Sequence, residues 1–175
     1  MIRTTLASMC IGLVCASSAG LAQTPPQAVA VVFNLKGQEI GKAHLTQTAG
    51  GLLIDIDLSG IAPGEHAFHI HEIGICDAAD GFKSAGGHFN PNQHQHGYMA
   101  EHGSHAGDMP NLFAGADGRL RANVLNPNVT LTDGPGNLLD GNGSAIVVHA
   151  DPDDYTGQPA GNAGIRIACG VIEKP

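Results

Sequence analysis

Six histidines and one aspartate carry the chemistry open to this chain. His69 and His71 stand two apart in a strand-like run, His88, His96, His105 and Asp108 follow in a long polar stretch, and His149 closes the apolar run Ile146-Val147-Val148. Neutral imidazole is the commonest metal ligand and suits copper and zinc, whereas magnesium and calcium call for carboxylate and carbonyl oxygens. Six imidazoles and one carboxylate are enough ligands for two metal ions, and the mixture reads as a copper and zinc site. Along Glu65-His66-Ala67-Phe68-His69-Ile70-His71-Glu72 the side chains of a strand point alternately to opposite faces. His69 and His71 therefore project together while Phe68 and Ile70 anchor the other face. An H-x-H pair by itself reads equally well as surface histidines, and a histidine-rich loop by itself as a metal scavenger. The joint pattern argues for a built site.

Strands must hold such residues. Turn signals punctuate the chain at Lys36-Gly37, Ala49-Gly50-Gly51, Ser59-Gly60, Ala116-Asp117-Gly118 and Asp133-Gly134-Pro135-Gly136. Between them lie the runs 29–35, 53–58, 145–148 and 165–172, and in the second Ile54, Ile56 and Leu58 alternate against Asp55 and Asp57. Short alternating strands with frequent turns indicate an all-β sandwich or barrel. No segment keeps a helical period and no internal repeat is evident. The stretch 82–111 is long for a loop in a compact domain, and such loops are usually functional or disordered; bound zinc would order this one.

The N-terminus has the parts of a secretory signal peptide: Met1-Ile2-Arg3, an apolar stretch from Leu6 to Val14, then Gly20-Leu21-Ala22 before Gln23. The apolar stretch is shorter than the roughly 20 residues that a membrane-spanning helix needs. Cleavage is expected after Ala22, with Ala19 the second choice; lipid attachment at Cys15 fits its sequence context poorly. The expected organisation is a signal peptide over 1–22, a linker over 23–28 containing Gln23-Thr24-Pro25-Pro26, and one domain over 29–175. Of four cysteines, Cys10 and Cys15 leave with the signal, and Cys76 and Cys169 remain. In an oxidising compartment these two form one disulfide. They are 93 positions apart, and closing a loop of that order stabilises by about 4 to 5 kcal/mol in the chain-entropy picture.

The motifs around the histidines resemble a known family. Gly86-Gly87-His88-Phe89-Asn90-Pro91 is followed by a histidine eight positions after His88, another nine beyond it and an aspartate three further on. His69-Ile70-His71-Glu72, Val147-Val148-His149 and the run Gly161-Asn162-Ala163-Gly164-Ile165-Arg166-Ile167-Ala168-Cys169-Gly170-Val171-Ile172 complete the pattern. Together they resemble copper/zinc superoxide dismutase, in its secreted bacterial branch, over nearly the whole mature chain. The resemblance implies a Greek-key β-sandwich or barrel, immunoglobulin-like, with long zinc and electrostatic loops. It implies copper on His69, His71, His88 and His149, and zinc on His88, His96, His105 and Asp108, with His88 bridging the two. A three-histidine, one-aspartate set suits a closed, four-coordinate zinc site.

By the same resemblance, Asp153 hydrogen-bonds His69 and His96, with Asp154 the residue that a one-position slip would select instead. The disulfide ties the loop after His71 to the strand after Arg166, and two superoxide anions are converted to oxygen and hydrogen peroxide while His88 carries a proton. His44, His66, His94 and His102 match no ligand position and read as solvated.

Charge poses a difficulty for an anionic substrate. The chain has 8 basic and 16 acidic residues, and loss of Arg3 leaves 7 − 16 = −9. Local positive focusing must therefore outweigh the net field near copper. Arg166, three positions before Cys169, matches the family arginine that guides the anion. The stretch 150–165 carries no lysine, unlike the eukaryotic enzymes, and Lys83 matches a bacterial steering lysine.

An acidic chain is expected to have no nucleic-acid partner, and after signal cleavage no integral membrane segment. The family contains monomers and homodimers. The expected compartment is the periplasm. The competing function is a periplasmic copper or zinc carrier without catalysis, which would gain nothing from Arg166 or a bridged pair of metals. A zinc hydrolase would need an open zinc position, which this full ligand set does not leave.

Overall fold

Inward and outward side chains alternate along the strands, and that alternation builds the barrel. In the computed structural model, which describes residues 24–175, β3 (Gly51–Leu58) buries Leu52, Ile54, Ile56 and Leu58 while Leu53 and Asp55 face outward. β1 (Gln27–Asn34) buries Ala28, Ala30 and Val32 in the same way. The expected signal peptide, with Cys10 and Cys15, lies outside the described residues. The remaining strands are β2 (Glu39–Thr48), β4 (Gly64–His66), β5 (Phe68–His71), β6 (Leu112–Ala114), β7 (Leu120–Asn126), β8 (Ala145–His149) and β9 (Arg166–Glu173). Among the described residues the only helical segments are the short 3-10 turns Ala78–Asp80 and Lys83–Ala85. None is long and apolar enough to cross a membrane.

All nine strands form one antiparallel sheet in the order β4-β6-β7-β3-β2-β1-β9-β8-β5. Its two ends, β4 and β5, are consecutive stretches of one run interrupted only at Ala67, so the sheet is a nearly closed barrel. β3 lies beside β7 while β4, β6 and β7 follow it in space, which is a Greek-key crossing. The all-β Greek-key expectation holds.

Three strands that the apolar pattern did not single out, β2, β6 and β7, complete the sheet. In β2 a bulge opposite β1 breaks the alternation, the pairing passing from Val32↔Gly41 to Phe33↔Glu39. Gly41 (φ +148) lies against the Asp57 carbonyl, where any side chain would collide. β7 spends one of its inward positions on Asn126, whose amide donates to the Ala106 carbonyl at 2.9 Å.

β5 and β8 are buried along their whole length. Their inner faces contribute Phe68, Ile70, Ile146 and Val148 to the main core. Their outer faces are covered by the long connections, and beneath one of these Phe82 and Ala85 pack on Ala145, Val147 and Cys169 in a separate small cluster. The Cys76–Cys169 disulfide, with its Cα atoms 5.7 Å apart, joins that connection to β9.

Because the bridge closes a loop of 93 positions, its reduction should cost up to about 4 to 5 kcal/mol, which corresponds to roughly 10 °C or more for a domain of this size. Calorimetry of the metal-free protein with and without reductant measures this. An unchanged melting temperature would show that the disulfide does not constrain the unfolded chain.

Candidate metal centre

Period-two geometry gathers the first three histidines. On β5, His69 and His71 point outward because Phe68 and Ile70 point in; on β8, His149 shares the outward parity of Ala145 and Val147. β5 pairs with β8 in the register His69↔Val147 and His71↔Ala145, which sets all three imidazoles on one patch. The connection between β5 and β6 then folds back along β5. Phe89 N–H donates to the Ile70 carbonyl at 2.8 Å and Ile70 N–H to the Gly107 carbonyl at 2.9 Å. These bonds place His88 directly opposite His71, and Asp108 directly opposite His69.

The result is two buried groups sharing one ring. His69, His71, His88 and His149 each offer a nitrogen within 4.8 Å of the others, and so do His88, His96, His105 and Asp108 with one atom each. In the first group Nδ1 of His69, Nε2 of His71, Nε2 of His88 and both nitrogens of His149 are buried with no hydrogen-bond partner. Leaving a buried polar atom unsatisfied costs about 1 to 3 kcal/mol, and one nitrogen from each of the four rings, lying together, fits a metal ion that would take those lone pairs.

In the second group Asp108 Oδ1 lies 2.8 Å from His88 Nδ1, 3.1 Å from His96 Nδ1 and 3.2 Å from His105 Nδ1. His88 and His105 Nδ1 are 3.4 Å apart. A tetrahedral zinc with bonds of about 2.0 Å has edges of about 3.3 Å. The spacing fits that ion.

Other contacts fix the rings. Asp153 Oδ2 accepts from His69 Nε2 at 2.7 Å and its Oδ1 from His96 Nε2 at 3.0 Å; one carboxylate thus spans both groups. Asp154 turns away and caps the Thr156 and Gly157 N–H groups. Gly161 (φ +66) sits against Asp153 and the His96 ring, where a Cβ would displace both. Asp108 Oδ2 accepts the Gly97 and His105 N–H groups at 2.8 and 3.0 Å, which aims Oδ1 at the histidines.

Electrostatics divides the two groups. Burial, with the charges of neighbouring imidazoles, pushes His149 down to about 3 and His71 well below its usual range. Burial also takes His88 down to about 4 despite its bond to Asp108. These three rings are neutral at pH 7, with lone pairs available. Burial opposes protonation of His96 too, but hydrogen bonds to Asp108 and Asp153 outweigh it and raise the ring to about 9. Asp108 is held far below the usual carboxylate range: burial would raise it, and the bonds from His105, His88, His96 and Gly97 prevail.

Arg166 is half-buried at the start of β9. Its guanidinium donates to the Phe82 carbonyl at 2.6 Å and to the Gly86 carbonyl at 2.7 Å. The same Gly86 carbonyl accepts from His71 Nδ1 at 3.0 Å, so the cation stands beside the first group. Lys83 is exposed on the turn between those two carbonyls.

His44, His94 and His102 are exposed, as expected, but His66 is buried and not solvated. Its Nδ1 faces the His149 carbonyl at 2.8 Å and its Nε2 the Ala62 carbonyl at 2.7 Å. The alternation that sends Phe68 and Ile70 inward sends His66 inward as well, and that signal was present in the sequence. Tyr98, whose hydroxyl donates to the Asp108 carbonyl at 3.0 Å, and Gln158, bonded to the His96 backbone, carry no such signal.

Comparison with known proteins agrees with this geometry. The family described as copper/zinc superoxide dismutase (SODC) matches residues 39–172, a span that contains every residue of both groups. Superoxide dismutase [Cu-Zn] 1 of Aquifex aeolicus (strain VF5) is 54% identical over 144 residues, covering 81% of this chain and 85% of that protein. Superoxide dismutase [Cu-Zn] of Caulobacter vibrioides is 45% identical, covering 83% and 85%. Among solved structures, a superoxide-dismutase-like protein from Bacillus subtilis superposes with a TM-score of 0.78 at 40% identity, covering 82% of this chain and 96% of that one. Sequence, barrel and paired histidine groups converge, and the chain belongs to the copper/zinc superoxide dismutase family.

Proposed function

We propose that this chain dismutes superoxide to oxygen and hydrogen peroxide with copper on His69, His71, His88 and His149 and zinc on His88, His96, His105 and Asp108. The observation that carries the assignment is the convergence of buried, partnerless nitrogens from the first four histidines. Bound copper supplies the one-electron couple by which superoxide is alternately oxidised and reduced, and zinc, which has no second accessible oxidation state, supplies charge and geometry.

The residues do the rest. His88 is catalytic: its Nε2 faces the copper group and takes up and returns a proton there, while its Nδ1 stays within the zinc group and keeps the ring in place. Asp153 fixes His69 and His96 in the tautomers that their other nitrogens need. Arg166, pinned by two carbonyls, is the second catalytic group, a stationary cation that draws the anion toward the copper position and hydrogen-bonds it there. Against a net charge of −8, this local field decides the approach. Lys83, on the turn that Arg166 clamps, extends the positive path outward. A metal carrier would not require a cation held at this point. The N-terminal residues support export to the periplasm with cleavage after Ala22, and a disulfide suits that compartment.

The disulfide-bonded chain loaded with one copper and one zinc should turn over superoxide rapidly in pulse radiolysis, and His149→Ala should lose turnover together with copper. Negligible turnover at full loading would favour the carrier. Asp153→Asn should weaken metal binding or activity by about 10 to 100-fold, read by chelator competition. Lys83→Glu should lower the association rate and its dependence on ionic strength with metal content intact; an unaltered rate would remove Lys83 from the path. N-terminal sequencing of the exported protein should begin at Gln23, and any other start relocates the cleavage.

A further inference from the structure

One side chain that is neither a ligand nor a charge joins the zinc group to the wall of the copper side. Gln158 lies in the connection between β8 and β9. Its Oε1 accepts the His96 N–H at 2.9 Å, and its Nε2 donates to the His96 carbonyl at 2.9 Å and to the Thr156 carbonyl at 3.1 Å. A single amide thus grips both backbone groups of one residue, as a neighbouring strand would. His96 itself is outside any strand or helical turn, and nothing else in the backbone network takes up its N–H or carbonyl.

The grip has company on one side and a cleft on the other. Gly97 approaches the Tyr155 carbonyl so closely that a side chain would not fit, and Met99 N–H donates to the same carbonyl at 3.2 Å. Asp154 binds the Asn162 amide at 2.7 Å and closes the turn that presents Gln158. Beyond the amide, Gln158, Pro159, Asn162 and Gly164 line a cleft whose floor includes His149. The residue that holds the peptide of a zinc-group histidine therefore also walls the space beside a copper-group histidine.

We infer that Gln158 is a positioning residue of the zinc site: it fixes the His96 peptide so that Nδ1 is presented to the metal and Nε2 to Asp153. The inference rests on the assignment of zinc to His88, His96, His105 and Asp108.

The test compares Gln158→Ala and Gln158→Met, the second preserving length and packing without the amide, and uses His105→Ala as a control. Zinc affinity is measured by competition with a chromophoric chelator, the zinc position is probed by the electronic spectrum of cobalt(II), and amide hydrogen exchange is followed over 156–163 with and without zinc. Both Gln158 variants should lose about tenfold in zinc affinity, in the range typical of residues that orient ligands. Their cobalt bands should shift, and the slowing of exchange that zinc produces over 156–163 in the parent protein should be reduced. The melting temperature of the metal-free protein should stay close to that of the parent.

Zinc affinity within twofold of the parent with an unshifted cobalt spectrum would overturn the proposal. So would parent-like behaviour of Gln158→Met alone, which would assign the effect to packing, or a fall in metal-free melting temperature without loss of zinc affinity, which would make Gln158 a staple of the fold. If His105→Ala also keeps parent affinity, the zinc assignment itself has failed, and the two failures are told apart.

Discussion

A buried imidazole has two nitrogens, and each needs a partner. Four rings of the centre are arranged around that requirement. His69 gives Nε2 to Asp153 and His71 gives Nδ1 to the Gly86 carbonyl, which leaves one nitrogen of each aimed at the same point. His96 divides itself between Asp108 and Asp153. His88 has no nitrogen left for the protein alone: Nδ1 belongs to the Asp108 group and Nε2 to the partnerless set. With metals held as proposed, a ring facing both groups would move a proton at one nitrogen while the other keeps it in place. The barrel, the long connections and the disulfide all serve to keep those nitrogens dry and convergent.

Much of this was legible in the chain because period-two alternation is a local rule. Ile54, Ile56 and Leu58 announce β3, and Phe68 and Ile70 fix the direction of His69 and His71 without reference to any other strand. The same rule buries His66 at the end of β4. β2 and β7 were less visible because their inward positions are diluted, by the Gly41 bulge in one and by Asn126 in the other. What could not be read is anything set by contacts between distant loops. Gln158 reaches His96 across 62 positions through an amide of no distinctive sequence context, and Gly161 owes its identity to two side chains from elsewhere in the chain.

The distribution of charge follows from burial more than from composition. An acidic chain handles an anion because its carboxylates near the centre are already engaged: Asp108 by three imidazoles and two N–H groups, Asp153 by two imidazoles and the Tyr155 N–H. Arg166 has no carboxylate partner within ion-pair distance among the described residues and bonds carbonyls instead. Its charge is thus free of a direct ion pair beside the first group, with the Asp80 carboxylate acting on it only at longer range.

The closure of the sheet has a consequence for how this molecule meets other molecules. The two ends of the strand order belong to one run, 64–71, and segments bearing His88 and Asp108 take up positions along β5. β4, the remaining end strand, is three residues long. Edge strands with unpaired N–H and carbonyl groups are the usual templates for strand exchange and fibre growth, and among the described residues this architecture leaves no long one. Association through the described residues would then use side chains on the outer faces of the barrel, where surface substitution can tune it while leaving the strand ladders intact.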